Sequence, residues 1–265
     1  MTAQPLATTR SDVILTLRAA GCVFAEDEGD LLLAAADGNQ DALTRAVDQR
    51  VAGVPLEYIL GWAEFFGQRV CVDVGVFVPR RRTELLVREA INLARDPEVI
   101  VDLCCGTGAV GAALAIVLPD ADVHATDIEP AAVRCARRNL DPLGGQVYEG
   151  DLYDSLPRIL QNRVDLLVVN APYVPTDAIA MMPPEARLHE PLIALDGGED
   201  GLDVQRSVAQ DALRWLSPGG HVLIETSALQ APRTAGILAG HGLDTRVVHS
   251  DGLDATVVVG TKVAN

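Results

Sequence analysis

Aromatic side chains are scarce: Phe, Tyr and Trp make up 4% of the 265 residues, although 49% are hydrophobic. The core must therefore be built from Ala, Val and Leu, which suits helices packed on a parallel sheet. Positive charge is also short, with 21 Lys and Arg against 37 Asp and Glu and a formal net charge of −16. Such a field repels phosphate backbones and argues against direct nucleic acid binding. Cysteines number five, an odd count that includes adjacent Cys104 and Cys105 and has no C-x-x-C spacing. That excludes a disulfide framework and a zinc site, and it predicts reduced thiols in a cytoplasmic protein. His124, His189, His221, His241 and His249 are scattered without ligand spacing, so no metal is expected. The first residues are polar and lack a cationic stretch followed by an apolar one, so no secretory segment is expected. Ile100 to Leu118 is nearly all apolar and long enough to cross a bilayer. It is interrupted by Asp102, Gly106, Gly108 and Gly111, and reads instead as a buried strand, a glycine turn and a core helix.

From Ser11 to about Gly53 the apolar spacing is helical. Val13, Ile14 and Leu17 share a face, Leu31 to Ala36 form a second segment, and Leu43, Ala46 and Val47 a third that Asn39 or Asp41 would cap. Between Glu64 and Val78 the period changes to two around a Gly67-Gln68 turn, which predicts a hairpin ended by Pro79. Thr83 is a candidate cap for a helix running to about Arg95. Arg80, Arg81 and Arg82 before it form either a solvated turn or an anion site. After Pro97, strands at Val99–Leu103, Val123–Thr126, Val147–Tyr148, Asp165–Val169 and His221–Glu225 alternate with helices, and two final strands lie near Thr245–His249 and Ala255–Thr261. Right-handed crossovers then require a mostly parallel sheet covered on both faces, with the ligand at the strands' carboxyl ends.

Gly106, Gly108 and Gly111 follow the first of these strands and satisfy G-x-G-x-x-G. Alone this fits a dinucleotide-binding dehydrogenase as well as any other fold that aims helix N-terminal amides at a ligand. Asp102 separates the readings: four residues before the first glycine, a carboxylate repels a pyrophosphate but attracts the amino group of a methionine moiety. Asp127 ends the next strand, where it could accept the hydroxyls of either cofactor's ribose. Asp151 and Leu152 follow the third strand, suited to an adenine amine and ring. Three carboxylates after three successive strands are far more specific than one. Each alone would as readily cap a helix.

The fourth strand leads into Asn170-Ala171-Pro172-Tyr173. Here the chain resembles amino-methyltransferases with an Asn-Pro-Pro-Tyr-type motif, in particular the protein N5-glutamine methyltransferases that modify peptide chain release factors. The resemblance extends to Pro55 through Gly61, Glu64 through Gly67, Pro79 through Glu84, and the string from His189-Glu190-Pro191 to Leu202. It implies a seven-stranded Rossmann-like class I methyltransferase domain over 83–265, a helical substrate-recognition domain over 1–60, and a hairpin linker over 61–82. It further implies S-adenosyl-L-methionine as cofactor, held by Asp102, Cys105, Gly106, Thr107, Gly108, Asp127, Asp151, Leu152 and Asn170. The catalytic group would be Asn170, Ala171, Pro172 and Tyr173, with Asn170 Oδ1 and the Ala171 carbonyl accepting the two hydrogens of the target NH2. The acceptor would be a glutamine of a release factor or another protein, and the alternative is an exocyclic amine of a metabolite or nucleobase. Two departures stand out. Ala171 replaces a proline usual in the family, and Arg81-Arg82 replaces Pro-Asp, which reverses a charge and leaves the substrate open.

Overall fold

The computed structural model describes residues 9–264; the N-terminal stretch read above for a targeting segment lies largely outside them. Helices α1 (Arg10–Ala19), α2 (Ala25–Ala36), α3 (Gln40–Val51) and α4 (Leu56–Leu60) come first. Val13, Ile14, Leu17, Leu32, Leu43 and Val47 form a hydrophobic cluster of their own. Thr9 and Asp12 make a capping box at α1, and Asn39, not Asp41, caps α3 through the Ala42 N–H. The second helix starts at Ala25, six residues before its apolar stretch, because an acidic first turn suits a helix N-terminus.

The hairpin is shorter than the alternation predicts. It comprises β1 (Trp62–Phe65) and β2 (Gln68–Cys71), paired antiparallel from Trp62↔Cys71 to Phe65↔Gln68. Beyond it Val74 is exposed, and residues 72–80 run irregularly toward the 3-10 turn at Arg81–Thr83. Thr83 does not cap the next helix. It sits in a 3-10 turn with helical backbone angles and makes no cap hydrogen bond, and α5 spans Glu84–Leu93.

The second layer system is one seven-stranded sheet. Its strands are β3 (Val99–Leu103), β4 (Asp122–Asp127), β5 (Gln146–Glu149), β6 (Val164–Val169), β7 (Leu216–Thr226), β8 (Asp244–Ser250) and β9 (Ala255–Thr261), in the order β5-β4-β3-β6-β7-β9-β8. β9 pairs antiparallel with both neighbours and the other pairings are parallel. The chain reverses direction across the sheet between β3 and β6, so the switch point lies at the carboxyl ends of those strands. Helices α6 (Ala109–Val117), α7 (Pro130–Leu140), α9 (Asp203–Trp215) and α10 (Ala231–Gly240) provide the crossovers. All five residues of β3 are buried, as expected for a central strand covered on both faces. The apolar run 100–118 is thus half strand and half helix, and no helix among the described residues is long and apolar enough to cross a membrane.

Between β6 and α9 lies a segment whose sequence shows no clear periodicity. It forms a short helix, α8 (Pro184–His189), flanked by 3-10 turns at Thr176–Met181 and Leu192–Ala194. Arg50 of α3 joins this segment to the N-terminal helices. Its guanidinium contacts Glu28 at 2.6 and 3.2 Å and Glu185 of α8 at 3.3 Å, with 11% of the side chain exposed.

Candidate active site

At the carboxyl end of β3 the chain passes through Cys104, with φ 56°, and Gly106, with φ 53°, before entering α6. This sharp turn aims two glycine N–H groups at the domain's own carboxylates. Gly111 donates to Asp102 Oδ2 at 2.9 Å, and Gly106 donates to Asp127 Oδ2 at 2.8 Å. Asp127 Oδ1 accepts the Glu129 N–H at 2.9 Å, so both of its oxygens are oriented. Asp102 is almost wholly buried, and desolvation pushes its carboxyl up to about 7; the Gly111 hydrogen bond only partly offsets that. Burial raises the Asp127 carboxyl as well, against the pull of its backbone hydrogen bonds. Burial pushes the Cys104 and Cys105 thiols up, which disfavours their thiolate forms.

A cavity of about 300 Å³ opens above these groups. Its walls include Asp102, Cys105, Gly106, Thr107, Asp127, Asp151 and Leu152 together with Asn170, Ala171, Pro172 and Tyr173. Gly108 is not among the lining residues. A Cβ there would stand 3.0 Å from Leu140 and 3.1 Å from Ala136, so this glycine serves the close packing of α6 on α7. Asn139 of α7 fixes the turn from outside by donating to the Thr107 and Cys71 carbonyls at 2.8 and 3.0 Å, which ties the hairpin to the glycine loop.

The tetrapeptide leaves β6 and is held by backbone from the loop that follows it. Val174 donates to the Leu195 carbonyl at 3.0 Å, Gly197 donates back to Val174 at 2.9 Å, and Gln230 Nε2 donates to the Tyr173 carbonyl at 2.9 Å. Gly201, at φ 74°, is pressed so closely against the Tyr173 carbonyl that a Cβ would overlap it. The Tyr173 hydroxyl donates to Glu225 Oε1 at 3.3 Å, and burial followed by that carboxylate pushes its phenol up to about 12. Tyr173 therefore stays protonated near neutral pH.

Four residues not assigned to the site by their sequence neighbourhood complete it. Arg80 and Arg82 line the cavity, and Arg81, exposed like Arg82, does not. Arg80 Nη2 lies 2.6 Å from Glu190 Oε1, which also accepts the Val78 N–H at 3.1 Å. Glu190 thus anchors the two segments flanking the cavity. Arg82 Nε lies 3.5 Å from Glu225, and its guanidinium carbon is 6.0 Å from the Tyr173 ring centre. Nothing local marks Glu225 as a site residue. Only its position at the end of β7 could have done so.

The match to a family model described as methyltransferase small domain covers residues 68–185. A release factor glutamine methyltransferase of Geobacter sulfurreducens is 38% identical over 198 residues, which cover 74% of this chain and 69% of that one. The chain belongs to the release factor glutamine methyltransferase family. It is therefore an enzyme of the methyltransferase class. A 4-amino-L-phenylalanine/4-methylamino-L-phenylalanine methyltransferase of Streptomyces pristinaespiralis is also 38% identical, over 69% of this chain and 65% of that protein. The chain spans about two thirds of the length of these relatives. Among solved structures, a methyltransferase from Pyrococcus furiosus superposes with a TM-score of 0.56 at 16% identity, covering 75% of this chain and 90% of that one. That likeness concerns the shared fold.

Proposed function

We propose that this methyltransferase transfers a methyl group from S-adenosyl-L-methionine to the side-chain amide nitrogen of a glutamine in a protein, a release factor or another glutamine-bearing partner. The observation that carries the proposal is that the Asn170-Ala171-Pro172-Tyr173 segment and the aspartates Asp102, Asp127 and Asp151 line one cavity. The donor set fits the cofactor. A buried carboxylate held near neutrality at Asp102 is stabilised as an anion by a cationic amino group, Asp127 suits two ribose hydroxyls, and Asp151 with Leu152 suits an adenine. Backbone of Cys105, Gly106 and Thr107 would line the same ligand. When bound, the cofactor supplies an electrophilic methyl on a sulfonium.

The chain's own part is orientation. An amide nitrogen is a poor nucleophile because its lone pair is delocalised. Asn170 Oδ1 and the Ala171 carbonyl would accept its two hydrogens and direct the nitrogen into the cavity, while Tyr173 walls its planar face. Positioning and exclusion of water then supply the catalysis. A protonated Tyr173 is a wall and a hydrogen-bond donor, not a base.

Features of the surface support a protein acceptor. Met181, Leu188 and Leu192 are exposed on the segment whose neighbours Met182 and Ile193 line the cavity, giving its mouth an apolar rim. Helices α1 to α4, assigned here with residues 1–60 as the recognition unit and joined by the 61–82 linker to the catalytic unit 83–265, stand next to this rim through Arg50 and Glu185. The net charge of −16 disfavours a direct nucleic acid contact, and a cytoplasmic location agrees with an acceptor in translation.

The test is transfer of labelled methyl from S-adenosyl-L-methionine into a size-fractionated lysate by wild type and Asn170→Ala. Label in a protein band, mapped to glutamine and reduced about 100-fold or more by the substitution, is expected. Asn170-dependent label confined to small amines or nucleobases would replace this reading with the exocyclic-amine one.

A further inference from the structure

Arg80, Arg81 and Arg82 are consecutive cations, and the fold gives each a different place. Arg80 is committed: its Nη2 lies 2.6 Å from Glu190 Oε1, a carboxylate with 1% of its side chain exposed, and its guanidinium carbon is 5.2 Å from the Phe77 ring centre. Arg81 is exposed and does not line the cavity. Arg82 lines the cavity while 48% of its side chain stays exposed. Its Nε lies 3.5 Å from Glu225 Oε1, an oxygen that also accepts from the Tyr173 hydroxyl at 3.3 Å. Among the described residues, Nη1 and Nη2 of Arg82 donate no hydrogen bond.

A guanidinium has a fork along Nε and one terminal nitrogen and another across both terminal nitrogens, and either matches a carboxylate. In Arg82 the nitrogen nearest Glu225 is Nε, so the terminal fork remains for a ligand. That conclusion does not depend on the charge of Glu225, because a neutral carboxyl would compensate the cation still less. The other charged side chains lining the cavity are Asp102, Asp127, Glu129, Asp151, Glu190 and the committed Arg80. Arg82 is therefore the cavity's available cation in a chain of net charge −16. Its guanidinium carbon is 6.0 Å from the centre of the Tyr173 ring. With Tyr173 walling the target amide, an anion on the same or the next residue of the acceptor lies within reach, since consecutive Cα atoms are about 3.8 Å apart.

We propose that Arg82 is an acceptor-side subsite for a carboxylate, so that the methylated amide belongs to a molecule with an acidic group beside it. In a protein that group is an Asp or Glu next to the target glutamine; in a free amino acid it is the α-carboxylate. The inference deepens the amide-methylation reading and rests on it for the role of Tyr173. Arg82 selects the acceptor and does not touch the reacting atoms.

Blocked heptapeptides with one central glutamine, flanked on both sides by Asp, Ser or Lys, test the subsite. Binding is read by calorimetry on the full chain saturated with S-adenosyl-L-homocysteine, and methyl transfer is followed in parallel with S-adenosyl-L-methionine. The Asp peptide should bind at least about tenfold more tightly than the Ser peptide, and the Lys peptide least, with the difference in transfer carried by KM. Arg82→Gln brings the Asp-to-Ser ratio below about twofold, and Arg82→Lys restores only part of it because an ammonium has no fork. Arg82→Asp moves the preference to the Lys peptide. Cofactor affinity in Arg82→Gln stays within about threefold of wild type. Free L-glutamine against L-glutamine amide separates the two sources: an Arg82-dependent preference confined to that pair keeps the subsite and assigns it to a free amino acid. Ratios below about threefold in both probe pairs overturn the proposal, as does a ratio that survives Arg82→Gln. So does a loss of cofactor affinity of about tenfold or more in that variant, which would place Arg82 on the carboxylate of the cofactor. Should no probe accept a methyl group while binding still depends on Arg82 and a carboxylate, the amide-methylation reading fails and the subsite stands.

Discussion

The two ends of the cavity are built in different ways. The end proposed for the cofactor takes its carboxylates from three consecutive strands: Asp102 is the next-to-last residue of β3, Asp127 the last of β4, and Asp151 lies two residues beyond β5. Asp102 is held by the Gly111 N–H in the first turn of α6 and Asp127 by the Gly106 N–H of the loop before it, so the whole arrangement is local to about fifty residues of chain. The acceptor end draws Arg80 and Arg82 from the linker, Asn170 to Tyr173 from β6, Glu190 from the following segment, Glu225 from β7 and Gln230 from the start of α10. The side-chain contacts among them join residues at least 52 positions apart. Local construction makes the first end tolerant of change elsewhere, whereas the second depends on several loops arriving together. Damage to the two ends should therefore separate in kinetics.

The largest separation is expected from Gly201→Ala. The added Cβ overlaps the Tyr173 carbonyl and the Gln230 amide, in a backbone conformation that disfavours any side chain, and must push the tetrapeptide loop outward. Methyl transfer should fall about 100-fold while cofactor affinity, measured by calorimetry, stays within about threefold. Equal losses in both would show that the two ends are one unit and break the comparison. The reverse substitution of effects is expected from Asp127→Asn, which keeps shape but removes the charge that favours ribose hydroxyls. Cofactor affinity should fall about 10- to 100-fold, as for a charge-assisted hydrogen bond or two, with kcat at saturating cofactor changed less than fivefold. A kcat effect larger than the affinity effect would place Asp127 with the acceptor end instead.

The same contrast governs what could be read from the sequence. The alternation of strands and helices, the glycine turn and the three aspartates are short-range signals, and the sheet of seven strands follows from them because right-handed crossovers leave few arrangements. The tetrapeptide is legible for the same reason, since Val164 to Val169 delivers Asn170 directly to the switch point. Thr83 is instructive in the other direction. Its place before a helix marks it as a cap, yet the helix is entered through a 3-10 turn and the hydroxyl accepts from Asn170 Nδ2, a tertiary demand that overrides a local preference. Gly108 fits a ligand-binding pattern, and its missing Cβ also lets α6 pack on α7, a tertiary demand that a spacing rule does not reveal. Glu225 had no signal at all. A glutamate ending a central strand becomes informative only when β7 is known to lie beside β6.

A smaller effect sharpens the comparison through pH. Burial holds the Asp102 carboxyl at about 7 in the folded chain, against 3.8 for an ordinary aspartate. Between those values the native state keeps a proton that the unfolded chain releases, so this group favours folding at low pH, and that contribution is lost as pH rises from about 4 toward 7. Above pH 7 the folded chain carries the full cost of a buried anion. Asp102→Asn retains an acceptor for Gly111 and removes that cost. The variant should match wild type in stability near pH 4 and exceed it by roughly 1–3 kcal/mol near pH 8, measured by urea unfolding without cofactor. Glu190 and Glu225, whose carboxyls are also raised by burial, are present in both proteins and cancel in the difference, whereas Asp127, whose charge helps raise the Asp102 carboxyl, is relieved in the variant and adds to it. Saturating S-adenosyl-L-methionine should reverse the order at pH 8, because a cationic amino group beside Asp102 converts the buried anion from a penalty into a binding contact. If the variant is no more stable at pH 8 than at pH 4, relative to wild type, Asp102 is solvated in the free enzyme and the cofactor end is looser than its hydrogen bonds imply.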